Sequence, residues 1–525
     1  MRVKMSKVIS LAQAANLIPD GANVAWSTVG MSYFAEAVAK AVELRFKETG
    51  HPQQLTLIHD CGCGDGKDAG MSHMAYPNLV KRLISGHTGQ APKMAQMITD
   101  NAIEAYLLPQ GVLTTMWRQI AGNKPGVITK VGMGTYVDPL ISGGKVTSLT
   151  TEDLVKRIEI EDEEWLLYKK FPLDVVVIRA TTADEDGNLS VEEEAMLAEI
   201  LPMAQAAKNS GGIVIAQVKY IAERHSIHPK EVKVPGVLVD YITVAPAEDH
   251  KQTITTTYNP GLAGNSRVPL NALPPMPFSD RKVIARRAAM ELKANVMVNL
   301  GIGMPDGVAA IAAEEKVSHL FTLTTELGTY GGIPASGGDF GAAWNADAII
   351  EHEAQFDFYD GGGLDIAFLG LAQADKEGNL NVSKFGPKVV GPGGFINISQ
   401  SAKKVVFCGT LVNGAKLGFE NGKMKVLEEG KVQKFVEAVD HITFSGAVAR
   451  ANHQPVVFVT ERCVLELRQE GMVLTEVAPG LDLEKDVLSM MAFRPIIADD
   501  LKTMPAAIFA EQWGGLGDIM ATSNS

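Results

Sequence analysis

Cysteine is scarce in this chain of 525 residues, with four in all, and no histidine cluster accompanies Cys61 and Cys63 at a zinc-like spacing. Neither a disulfide framework nor a structural metal site is expected. No run of eighteen uninterrupted apolar residues occurs, and the N-terminus reaches Asn16 and Asp20 before any signal-like apolar core develops. The expected location is therefore the cytoplasm, with no membrane partner. Positive charge is also short: 48 Lys and Arg stand against 61 Asp and Glu, for a net charge of −13 and a pI near 5.4. Nucleic acid is thereby disfavoured as a partner, because phosphate neutralisation needs a basic surface. There is no Gly-x-Ser-x-Gly elbow and the histidines are scattered, so a serine or cysteine hydrolase has no assembled base. What remains, at 46% hydrophobic and 21% charged residues, is a globular chain long enough for at least two large domains.

The chain carries an internal duplication. Asp174-Val175-Val176-Val177-Ile178 followed by Ala183-Asp184-Glu185-Asp186-Gly187-Asn188-Leu189 recurs, without a gap, as Asp365-Ile366-Ala367-Phe368-Leu369 followed by Ala374-Asp375-Lys376-Glu377-Gly378-Asn379-Leu380. Ala22-Asn23-Val24 is echoed by Ala294-Asn295-Val296, and Val239-Asp240-Tyr241-Ile242-Thr243 by Val439-Asp440-His441-Ile442-Thr443. Short apolar runs, among them Leu55–His59, Val175–Ala180, Leu320–Thr324 and Ile366–Gly370, read as strands. Stretches with 3.6-residue periodicity, such as Phe34–Phe46 and Ser279–Glu291, read as helices between them. The predicted class is α/β: two tandem, similar open parallel-sheet domains with helices on both faces. The proline-rich break containing Pro260, Pro269, Pro274, Pro275 and Pro277 divides them into residues 1–258, a linker 259–279, and residues 280–525.

Glu326 stands between the β-branched run ending at Thr325 and the turn Gly328-Thr329-Tyr330-Gly331-Gly332. A side chain at that junction projects from a strand end into a crevice, which suits a nucleophilic carboxylate; the plain alternative is an acid that is solvated or caps a helix. The matching segment of the first half, Leu55 to Gly64, has a glycine turn but no glutamate. Gly301-Ile302-Gly303-Met304-Pro305-Asp306 follows a strand and opens a helix, but Asp306 stands where a dinucleotide fingerprint needs a small residue. That helix start remains able to receive an anion. Gly361-Gly362-Gly363 and Gly391-Pro392-Gly393-Gly394 are dense enough to bring backbone N–H groups against a ligand, or they are ordinary tight turns. Gln110 opens a helix, where its amide either caps the helix or reaches into the crevice.

With these residues in place, the chain resembles the family I CoA-transferases, in the single-chain short-chain acyl-CoA form (propionate or acetate CoA-transferase type). The likeness runs over nearly the whole length, through Val298–Pro305, the Glu326 turn, Gly362-Gly363-Leu364-Asp365, Asn381–Gly386 and Thr460-Glu461-Arg462-Cys463 in the second half, and Pro109-Gln110-Gly111 and Gly134–Pro139 in the first. The resemblance implies that Glu326 forms acyl-anhydride and glutamyl-CoA thioester intermediates in a ping-pong transfer of CoA from a short-chain acyl-CoA to a carboxylic acid. It implies oxyanion or substrate contacts from Gln110, Gly393 and Gly394, with Gly301, Gly303, Gly362 and Gly363 as candidates for binding CoA. No metal and no cofactor beyond substrate CoA is implied, and a homo-oligomer is expected. A surface-like glutamate, with a pKa of ~4.3, would be ionised at neutral pH without a general base. Two departures stand out: Trp26–Ser32 is less glycine-rich than its counterpart, and Leu327 is bulkier than the small or polar residue expected there. The rival readings are an acyl-CoA hydrolase, in which water intercepts the same intermediates, and a ligand-sensing module of related fold.

Overall fold

The computed structural model describes residues 7–269 and 275–522. Its first half is built on a seven-stranded sheet of β1 (Asn23–Trp26), β2 (Leu55–His59), β3 (Val80–Ser85), β4 (Glu104–Leu107), β5 (Val175–Arg179), β6 (Ile213–Val218) and β7 (Tyr241–Val244). The order is β7-β6-β5-β1-β2-β3-β4, and every pairing is parallel. Side chains alternate between two cores. Ala25, Ile58, Val176 and Ile178 face one; Val24, Trp26, Leu57, Val175 and Val177 face the other. This two-sided burial is why these strands read as unbroken apolar runs.

The second sheet contains β8 (Met297–Leu300), β9 (Thr322–Thr324), β10 (Thr329–Tyr330), β11 (Ala348–Ile349), β12 (Ile366–Gly370), β13 (Val405–Cys408), β14 (Val456–Val459), β15 (Cys463–Arg468), β16 (Gly471–Val477) and β17 (Ile496–Thr503). Ten strands lie in the order β11-β10-β9-β8-β12-β13-β14-β15-β16-β17. Its centre, β9-β8-β12-β13-β14, is parallel and repeats the β2-β1-β5-β6-β7 core of the first sheet. Its flanks add antiparallel pairs to the largely parallel sheet: β10 and β11 pair antiparallel on one side, and β14, β15 and β16 antiparallel on the other. The turn ending in Gly328 joins β9 to β10, Thr460-Glu461-Arg462 joins β14 to β15, and Gln469-Glu470 joins β15 to β16, links too short for a crossover helix, which makes antiparallel pairing the accessible geometry; β10 and β11 are joined by the longer excursion 331–347.

The duplication has a physical basis. Asp174 and Asp365 each accept a backbone N–H from the start of the neighbouring central strand region, from Asn23 and Met297 respectively, both at 2.8 Å. Asp184 Oδ1 accepts the N–H groups of Asp186 and Asn188; Asp375 Oδ1 accepts those of Glu377 and Asn379. Gly187 and Gly378 then take φ of 90° and 77°, a left-handed turn that glycine adopts at little cost. The repeated Ala-Asp-x-x-Gly-Asn motif is therefore one Asx-stabilised turn used twice.

Helices α1 (Glu36–Thr49), α2 (Gln110–Ala121), α3 (Ile200–Asn209), α4 (Asp280–Ala289), α5 (Gly307–Glu314), α6 (His352–Asp360) and α7 (Phe395–Ser401) cover the sheets. α4 starts on the Ser279 cap, whose side chain accepts from Lys282 N–H. Of the predicted linker, Leu270–Pro274 lie outside the described residues, while Val268 is fastened to the second half by two 2.8 Å bonds with the Asn345 side chain. Among the described residues no helix is long and apolar enough to cross a membrane.

The halves meet along α2. Leu327, Ala335, Ala342 and Ile396 of the second half belong to the same apolar cluster as Val112, Leu113 and Met116 of α2. Gly111 lies so close to α6 and α7 that a methyl group there would overlap the Phe356 ring and the Asn397 amide. Overpacking of this kind costs ~1–3 kcal/mol, so Gly111→Ala should shift the urea unfolding midpoint downward. An unchanged midpoint would mean that α2 and α6 can part without loss.

Candidate active site

The site lies where strand ends from the two halves converge. β9 ends at Thr324, and Glu326 follows in a turn closed by the Gly328 N–H to the Thr325 carbonyl, at 3.2 Å. Gly328 takes φ of 94°, and a side chain on it would collide with the Ile350 carbonyl, so glycine is required there. The strand is shorter than its apolar run, because Ser318–Leu320 form a 3₁₀ turn before it. Glu326 faces a cavity of about 350 Å³. Cys61, His87, Gln90 and Gln110 line it from the first half, and Asn299–Ile302, Pro334–Gly337, Leu369 and Gly391–Phe395 from the second.

Gln110 reaches into the crevice instead of capping its own helix. Its backbone N–H donates to the Gly393 carbonyl at 2.9 Å, and the Gly111 N–H to Asn397 Oδ1 at 3.1 Å. Groups of the second half thus satisfy two N–H groups of the first turn of α2. The Gln110 side-chain amide, 1% exposed, directs Nε2 at Glu326 Oε1, 3.4 Å away, and at His352 Nε2, 3.0 Å away.

The two glycines named with Gln110 differ. The Gly393 N–H already donates to the Gly86 carbonyl at 2.9 Å, so in this structure it is not available to an oxyanion, contrary to the expectation. Gly394 lies directly against Glu326: a methyl group on it would overlap Oε2. Its N–H has no acceptor among the described residues. Gly301 lines the cavity, but Gly303, Gly362 and Gly363 do not. Gly303 turns the chain toward α5 and its carbonyl accepts from Arg281. Gly362 and Gly363 form the turn from α6 into β12, at the end of β12 remote from the cavity, where Gly363 packs against the Phe358 ring. Their density reflects a tight helix-to-strand connection.

The electrostatics also depart from a surface-like glutamate. Part of Glu326 is open to the cavity, but protein surrounds it, and burial raises its pKa above 4.5 against the lowering influence of His352 and the Gln110 amide. Three further groups were not evident in the sequence. Asp60 directly follows β2 as Glu326 follows β9, so the first half does supply a carboxylate at the equivalent edge, one methylene shorter and fully buried. Glu199 precedes α3, and its Oε2 lies 2.9 Å from His352 Nδ1; Asp60 Oδ2 lies 3.5 Å from the same nitrogen. Burial, then their proximity to other carboxylates, raises the pKa values of both acids. Burial lowers that of His352. His352 is brought in from the first position of α6, so one of the scattered histidines does reach the site.

The remaining wall is largely apolar. Leu327 is 1% exposed and fills the space beside Gly341, so its bulk sets the shape of the cavity near Glu326. His87 and Gln90 form a polar spot through a 2.8 Å bond between Nδ1 and Oε1.

A family model described as coenzyme A transferase matches residues 8–245. The chain is 48% identical over 522 residues to caffeate CoA-transferase of Acetobacterium woodii, covering 98% of this chain and all of that one. It is 41% identical over 507 residues to acetate CoA-transferase YdiF of Escherichia coli K12, covering 96% and 95%. The crystal structure of acyl-CoA transferase YdiF apoenzyme from Escherichia coli O157:H7 superposes with a TM-score of 0.92, at 39% identity and 97% coverage of each chain. Given relatives this similar from end to end, and a cavity assembled from both halves, the chain belongs to the coenzyme A transferase family and is a CoA-transferase enzyme.

Proposed function

We propose that this enzyme reversibly transfers CoA from a short-chain acyl-CoA to a carboxylic acid, with Glu326 as the covalent carrier. The observation that carries the reading is one carboxylate at a strand end, facing a cavity lined by both halves, between an amide donor from the first half and the backbone of Gly394. Glu326 attacks the thioester carbonyl, giving a mixed anhydride and CoA thiolate; the thiolate attacks the glutamyl carbonyl and releases the first acid, leaving CoA on Glu326 as a thioester. The incoming carboxylate reverses both steps, so the kinetics are ping-pong. A crystal structure of the Escherichia coli YdiF enzyme described as a thioester complex with CoA, at a TM-score of 0.91, supports a covalent CoA stage.

Each half contributes to the barrier. The Gln110 amide and the Gly394 N–H are the donors available to charge developing on the glutamyl or acyl oxygen, and loss of one such donor costs ~10²–10³-fold in rate. Burial that raises the pKa of Glu326 also removes water from its oxygens, making the carboxylate more reactive once ionised. CoA is the only cofactor in the scheme, as a substrate, and a cytoplasmic homo-oligomer belongs to the same proposal. The acid is placed in the short-chain class, with caffeate as the competing acceptor to be measured beside acetate and propionate, given the name of the 48% identical relative.

Incubation with an acyl-CoA alone should leave a CoA-sized adduct on the peptide containing Glu326 in intact and peptide mass spectra. Active enzyme lacking it would overturn the covalent route. With a second carboxylate present, total thioester should be conserved; its steady loss would instead identify a hydrolase.

Shortening the nucleophile in Glu326→Asp should lower kcat by ~10²-fold, and Gly394→Ala should do the same by displacing the Glu326 carboxylate. The half-reaction rate with acyl-CoA should fall as pH drops through a pKa above the ordinary 4.5, because the ionised form is the nucleophile. Stability has the opposite sign. A carboxyl whose folded pKa is raised contributes stability below its unfolded pKa and loses it as pH rises through the folded value. Glu326→Gln should therefore be inactive but melt higher than the parent at neutral pH, with the gap closing on acidification. A lower melting temperature at neutral pH would contradict the burial argument.

A further inference from the structure

The cavity wall does not end at Gln110. Behind its amide lies a buried row of polar groups, Glu326, Gln110, His352, Glu199 and Asp60, that crosses from the second half to the first and ends in a carboxyl pair with no contact to the cavity. Gln110, His352, Glu199 and Asp60 are each no more than 1% exposed. Burying so many polar groups is costly unless they satisfy one another, which makes the direction of each hydrogen bond readable.

Gln110 Nε2 carries two N–H groups and no lone pair to offer. It lies 3.4 Å from a carboxylate oxygen and 3.0 Å from His352 Nε2, so it donates to both. His352 Nε2 must then be an unprotonated acceptor. Its single proton is on Nδ1, where the Glu199 carboxyl accepts it at 2.9 Å. Asp60 and Glu199 lie together with His352 in a buried site where two like charges are costly, and burial raises the pKa of each. Besides these groups, His352 is faced by Glu326 and by Glu353 from its own helix.

The opposite imidazole tautomer would reverse this order. With the proton on Nε2, Gln110 would have to turn its carbonyl oxygen toward the ring, and the nitrogen would leave Glu326. An oxygen would then face the carboxylate, and the donor that stabilises negative charge on the glutamyl oxygen would be lost. Resting on the reading of Glu326 as the carrier of CoA, we propose that His352 is a positioning residue, held in its Nδ1–H tautomer by the Asp60–Glu199 pair, and that its lone pair keeps the Gln110 amide aimed at Glu326. The nucleophile's hydrogen-bond donor is thus oriented from the far half of the molecule by groups that never touch substrate.

The test uses the full chain and the rate of CoA adduct formation on Glu326, read by quenched-flow mass spectrometry, with thermal unfolding as the check on folding. Glu199→Gln presents an amide N–H to Nδ1 and selects the wrong tautomer, an error that costs orders of magnitude where an imidazole is held by a carboxylate. It should slow adduct formation by ~10²-fold, with KM for the acyl-CoA nearly unchanged. His352→Leu should do the same. His352→Gln places a carbonyl oxygen where Nε2 stood, has no tautomer, and should lose no more than ~10-fold, the margin for an imperfectly placed acceptor. The double variant Glu199→Gln/His352→Gln should match His352→Gln, rescuing the loss seen in Glu199→Gln. A merely structural role predicts no rescue. Full-rate Glu199→Gln, or a double variant as slow as Glu199→Gln, would overturn the proposal. So would a stoichiometric divalent metal in the purified enzyme, since Asp60, Glu199 and His352 lie close enough together to hold an ion that would take Nδ1 as a ligand. If the parent enzyme itself forms no adduct on Glu326, the reading of the nucleophile fails; if it does and the variants keep its rate, only the positioning role fails.

Discussion

The active site depends on one interlock, the docking of the first turn of α2 onto the Gly391–Gly394 turn. Gly393 is bonded on both sides to the first half: its N–H donates to the Gly86 carbonyl and its carbonyl accepts from the Gln110 N–H, each at 2.9 Å. Asn397 fixes the next residue by accepting from Gly111 while its own amide donates to Asp360 at 2.9 and 3.0 Å. The N–H groups at the start of a helix need partners, and here the other half supplies them. The same few bonds therefore set the separation of the halves and the distance from Gln110 to Glu326. A glycine at 394 lets the carboxylate lie against the backbone, and a glycine at 111 lets α2 approach α6.

Much of the architecture was legible because local physics repeats. Two-sided burial turned the central strands into apolar runs, and the turns at Asp184 and Asp375 recur because an Asx bond and a left-handed glycine solve the same corner twice. The antiparallel flanks of the second sheet were not legible, since a short strand carries no mark of its partner's direction. The glycines were ambiguous for a related reason. Glycine density shows that the backbone bends or is approached closely, but not by what: at Gly394 the neighbour is Glu326, whereas at Gly363 it is the Phe358 ring.

Within the site, Glu326 and Gln110 could be singled out because each sits at the end of a recognisable element. Asp60, Glu199 and His352 could not. They come from a loop after β2, the residue before α3 and the first residue of α6, and only the tertiary fold brings them within hydrogen-bonding reach of one another. The pKa of Glu326 was equally hidden. A value near that of a free side chain assumes water around the carboxylate, and that assumption fails once two domains close over it.

In the proposed covalent route, the protein around Glu326 guards the carrier against hydrolysis. An anhydride or thioester on Glu326 is vulnerable to any water that reaches its carbonyl, whereas CoA thiolate and a carboxylate acceptor arrive with binding energy of their own. Leu327, Leu369 and Phe395 give the cavity an apolar wall that offers water few partners, while the Gln110 amide donates to both Glu326 and His352. An isolated nucleophile at a strand end would lack this protection. By dividing the site between two halves, the fold can bury the glutamate and still admit substrate along their seam. The cost is a carboxyl held above its ordinary pKa, the kind of local penalty that a stable scaffold can tolerate at a working site.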